Sequence, residues 1–154
     1  MTLHPARAAA SILLIVGSLI VGVTALAIVM AKFLVRAGMA ISQSDAVLLG
    51  DLITVLPFIV GFALVGFAAA AGLLIGKSWS DDLAFGTAIT AVAVGATGLI
   101  LLSIGRDPFA STVSVRSTNE GIGIIGAFTV LYLFVIVAVA VARLPRHTTT
   151  GVPA

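Results

Sequence analysis

Four apolar runs dominate the chain. At about residues 8–35, 46–75, 83–104 and 122–142, apolar side chains follow one another for roughly 20 residues or more, and the charged residues gather near the ends. Coiled as an α-helix, a run of that length matches a hydrocarbon layer about 30 Å thick. A water-soluble domain of 154 residues has too little interior to hide a sequence that is 60% hydrophobic and 9% charged, with a mean hydropathy of +1.27. The predicted fold is therefore an all-α integral membrane protein. It is a single four-transmembrane-helix bundle with short loops over residues 1–154, closed by a frayed tail at 147–154.

The boundaries follow from the punctuation between the runs. Arg7 ahead of an apolar stretch resembles the opening of a secretory signal, but the stretch runs about 24 residues before Lys32, beyond the 7 to 15 or so of a signal. It is read as a retained helix, started near Thr2 and Pro5 and ended by Lys32 and Arg36, whose heads reach toward water. The connector 37–45 offers Ser44 or Asp45 as the cap of the second helix. That helix is overlong, and Pro57 within it predicts a bend near Thr54. Residues 77–82 form the tightest connector, with Trp79 as an interfacial indole and Ser80 as a cap ahead of Asp81 and Asp82.

The longest loop is 106–120. In it, residues 111–118 alternate small polar with apolar side chains, a pattern that fits either a short surface strand or a disordered Ser/Thr loop. Pro145 ends the fourth helix. The two halves share a rough order, Arg36 and Asp45 standing where Arg106 and Glu120 stand, but the helices do not align, and no internal repeat is inferred.

Several function classes fall away on composition. The formal charge of +2 comes without any Lys/Arg cluster to track a phosphate backbone, so no nucleic acid is expected as a partner. The chain has no cysteine, which removes disulfides, thiolate ligands and iron-sulfur clusters. His4 and His147 lie in the tails, away from any haem at membrane depth. The apolar runs hold Ser and Thr but no His or Cys to activate them, so neither enzyme activity nor a cofactor or metal is expected. The size suits the small multidrug transporters, yet the glutamate their first helix needs is missing from residues 8–31.

Orientation is nearly unreadable from charge. Four spans put both termini on one side with Arg7, Lys77, Arg143 and Arg146, and set Lys32, Arg36, Arg106 and Arg116 on the other. His4, His147 and the amino terminus tip the balance toward cytoplasmic termini. The level count also admits copies inserted both ways. An Ala/Val/Gly-rich sequence with more Arg than Lys suits a bacterium with GC-rich DNA, and so a plasma (inner) membrane.

Two candidate sites remain. Asp51 is a carboxylate inside an apolar run, a costly placement that by default marks function, and Lys32 and Arg36 share its membrane side as ion-pair partners. The second candidate is a set of small residues for helix packing: Ala68, Gly72 and Gly76, in which 72 to 76 is a literal GxxxG, then Gly95 and Gly98. The second and third helices, richest in this pattern, are expected to form the central close pair. The functional expectation is a non-catalytic accessory subunit or regulator, with the lipid bilayer and either a larger membrane complex or further copies of itself as partners. The alternatives are a small oligomeric transporter or channel with Asp51 in its path, and a membrane anchor docking a partner through the loop 106–120.

Overall fold

The computed structural model describes residues 5–103 and 115–144, and within them the backbone is four helices with no strand. These are α1 (Pro5–Arg36), α2 (Gln43–Ile75), α3 (Ser78–Ser103) and α4 (Val115–Arg143), each containing a stretch long and apolar enough to cross a membrane. α1 begins at Pro5, near where the sequence reading starts it, and the proline ring suits a first helical turn because the missing N–H has no partner to lose there. Three other boundaries differ from the sequence reading. α2 begins at Gln43, so Ser44 and Asp45 lie inside it and neither is its cap. α3 begins at Ser78 rather than after Asp82, so Ser80 is not the cap; its hydroxyl donates back to the Lys77 carbonyl at 2.5 Å. α4 begins at Val115, so residues 115–118 of the expected surface strand or disordered loop are helical. Residues 111–114 of that stretch, with Arg106, His4, Pro145, Arg146 and His147, lie outside the described residues.

The connections from α1 to α2 and from α2 to α3 both turn on glycine. Gly38 and Gly76 have φ of 97° and 77°, the left-handed region that side-chain-bearing residues avoid. Around Gly76, the Lys77 N–H bonds the Gly72 carbonyl at 3.0 Å and the Gly76 N–H bonds Leu73 at 3.2 Å, the paired bonds of a Schellman ending. Around Gly38 the same pair runs from Met39 to Leu34 and from Gly38 to Val35, both at 3.1 Å. Gly76→Ala is expected to cost about 1–2 kcal/mol of stability through backbone strain alone. Thermal unfolding of the purified protein followed by circular dichroism would measure it; an unchanged midpoint would contradict this role.

The helices pack as two antiparallel hairpins. α1 lies along α2 and α3 along α4 most extensively, α1 meets α4 less, and α2 and α3 meet least, so the second and third helices are not the central close pair. Burial explains the order. The core is built from Ala10 and Leu14 on α1, Ala69, Ala70 and Leu73 on α2, Ala84, Ala88 and Ala91 on α3, and Tyr132, Val135 and Val139 on α4. Among residues with described side chains, none on α2 before Ala63, on α3 after Gly95 or on α4 before Thr129 is buried. The hairpins thus interlock at the end holding Asp81 and part toward the end holding Asp51. α2 passes through Pro57 as one continuous helix.

Candidate functional site

α1 and α4 meet closely around Tyr132. Tyr132 is wholly buried there, its ring tilted against Phe62 and Phe128 with centroids 5.9 and 4.7 Å away. Its hydroxyl lies over Gly17, where a Cβ would stand 2.6 Å from the oxygen and 2.8 Å from the ring. Ser18 is its polar neighbour and also wholly buried, facing Gly66 of α2, which has no room for a Cβ beside the Ser18 oxygen. Neither the Ser18 nor the Tyr132 oxygen completes a hydrogen bond of good geometry. Two turns earlier on α1, Ser11 donates to the Ala70 carbonyl at 3.0 Å and ties α1 to α2.

The Asp81 end is fastened by ion pairs. Arg7 of α1 meets Asp81 of α3 at 2.5 Å, with side chains only 29% and 13% exposed. Beside it, Arg143 of α4 meets Asp82 at 2.6 Å and sits 5.1 Å from the centre of the Phe85 ring. The second pair is solvated and contributes little, whereas the first joins the two hairpins from partly buried positions. Neither pair was anticipated, although the signal was present: four spans put Arg7, Asp81, Asp82 and Arg143 on one side.

The predicted packing residues divide into separate roles. Gly72 is buried under Trp79 and Ser80, within the turn from α2 to α3. Gly76 is the helix stop, and nothing lies within 4 Å of its would-be Cβ; Ala68 is exposed. The GxxxG therefore does not work as one contact face within the chain. Gly95 admits Thr129 with no space to spare, and Gly98 faces Ile125 at 3.6 Å, so these two join α3 to α4. The hydroxyls of Thr24, Thr54, Thr87, Thr90, Thr97 and Thr129 all donate to the carbonyl four residues earlier in their own helices, the usual partner of an intrahelical threonine.

Asp51 stands on the outside of the bundle. It is exposed, as are Thr54 and Phe58 on the same face, the latter at 77%. Lys32 is half-buried and Arg36 exposed, and among the described residues neither forms an ion pair with Asp51. The pairing within the first hairpin that the sequence suggests is not made. Ala31, Leu34 and Val35 of α1 line one hollow with Leu49 and Leu52 of α2, which sets Lys32 and Asp51 at the same level along the bundle.

The sequence matches no family model, and no curated protein or solved structure is similar to it. Among the described residues no three His, Asp or Glu side chains are grouped as metal ligands would be. The buried core holds apolar side chains and hydroxyls and, among the described residues, no charged residue.

Proposed function

We propose that the chain is a multi-pass protein of a bacterial plasma membrane that acts without catalysis, as an accessory subunit whose outer helix surface packs against another membrane protein or a further copy. The supporting observation is the position of Asp51. It is the one charged residue in the stretch Leu49–Ile75, and it points away from the bundle. A carboxylate turned to lipid within an apolar stretch is unfavourable, by about 2.5–3.5 kcal/mol at mid-membrane and less toward the interface, and its side chain is shorter than the Lys and Arg stems that reach back to water. Placement on an outer face serves a partner. It does not serve a path through the bundle, where Tyr132, Leu14, Leu73 and Val135 fill the space.

Small outer residues suit the same role. Gly50 and Gly61 flank Asp51 along α2 with nothing within 4 Å of their would-be Cβ positions, and such residues let another helix approach closely where lipid supplies no hydrophobic drive. Purification in a mild detergent, with identification of everything that comes with the chain, tests the proposal. Recovery as a stable assembly, with copies of itself or with a second membrane protein, is expected. Recovery as a monomer without companions would contradict it.

A further inference from the structure

We infer that the protein pairs with a second copy of itself in the same orientation, across the outer face of α2, with Asp51 of each copy against Lys32 and Arg36 of the other. The inference rests on the packing role proposed above and names its partner. Charge complementarity carries it. Asp51 is an exposed anion, and Lys32 and Arg36 are cations that find no acidic partner among the described residues, all gathered at one end of one hairpin. Lys32 and Asp51 share a level, so a copy related by a two-fold axis along the bundle brings each anion level with the other copy's cations, and the symmetry makes the contact twice.

A copy inserted the opposite way would set Asp51 level with the Asp81 end instead, where Arg7 and Arg143 are already paired and Lys77 is the single cation left without an ion pair among the described residues, against the two that Lys32 and Arg36 offer at the Asp51 end. Parallel pairing is therefore the arrangement the charges select. The surface between them allows close approach: Gly50, Thr54 and Gly61 are small, and Phe58 projects from the same face. Asp51, Thr54 and Phe58 follow at the spacing that keeps one helix face turned to a neighbour.

Because the chain contains no cysteine, one introduced thiol reports on one position. Phe58→Cys treated in native membranes with a short thiol-to-thiol crosslinker is expected to give a dimer, while Phe134→Cys, exposed on α4, is expected to stay monomeric. Adding Asp51→Asn to Phe58→Cys should lower the dimer yield about tenfold, the factor that corresponds to 1.4 kcal/mol. The exchange Asp51→Lys with Lys32→Asp should restore it. Circular dichroism and melting of each variant in detergent separate lost pairing from lost folding. A Phe58→Cys chain that stays monomeric, or whose dimer is indifferent to Asp51→Asn with no restoration by the exchange, overturns the inference. A crosslink to a different protein overturns it too, but leaves the accessory role standing; a monomer with no companion in the purification overturns both.

Discussion

Replacing Tyr132 by alanine is expected to destabilise the bundle by roughly 3–5 kcal/mol, the range for emptying a buried aromatic site. The ring fills the point where α1, α2 and α4 meet, between Gly17, Phe62 and Phe128. Tyr132→Phe should behave differently, staying within about 1 kcal/mol of the parent, because the hydroxyl is buried without a completed hydrogen bond. Gly17→Ala pushes a methyl to within 3 Å of the ring and should cost about 1–3 kcal/mol. The double change Gly17→Ala with Tyr132→Ala should cost less than the sum, since the new methyl then enters an empty site. Titration with a denaturing detergent, read by circular dichroism, gives all four values. A phenylalanine variant as weak as the alanine one would show that the hydroxyl, not the ring, holds the crossing.

The second large effect belongs to Arg7 and Asp81. Removing one partner of this partly buried pair leaves the other charge without compensation and unties α1 from α3, so Asp81→Asn and Arg7→Gln should each cost about 1–3 kcal/mol. The exchange Arg7→Asp with Asp81→Arg should recover part of that loss, as far as the helix dipoles allow: the new arginine would stand in the first turn of α3, where a positive charge is unfavourable. The same detergent titration measures it. Full additivity of the two single changes in the double variant Arg7→Gln with Asp81→Asn would show that the contact is not a coupled pair.

The four helices were legible because a run of apolar residues long enough to cross a membrane has few other ways to fold, and the runs at 8–35, 46–75, 83–104 and 122–142 all fall inside or nearly inside helices. Backbone hydrogen bonding by Thr24 and the other intrahelical threonines was legible for the same local reason. Which helices pack was not. The α2 glycines suggested an α2–α3 pair, yet Gly76 is required by the φ of 77° at a turn, and its spacing from Gly72 is incidental to packing. Gly17 and Gly66 matter because Tyr132 and Ser18 stand opposite, a fact set by three-dimensional register rather than by any local pattern. Asp51 was legible as a carboxylate at an unusual place. Its direction was not, since the rotation of α2 is set by how α1 packs along it.

The role proposed for Asp51 lies on the outside of the bundle, in packing, and not in a path through it. Ion and proton flux across vesicles reconstituted with the purified protein, compared with vesicles carrying the Asp51→Asn variant, tests this most directly. Both are expected to leak no faster than empty vesicles while differing in self-association. Flux through the parent protein that Asp51→Asn abolishes, with the oligomeric state unchanged, would contradict it.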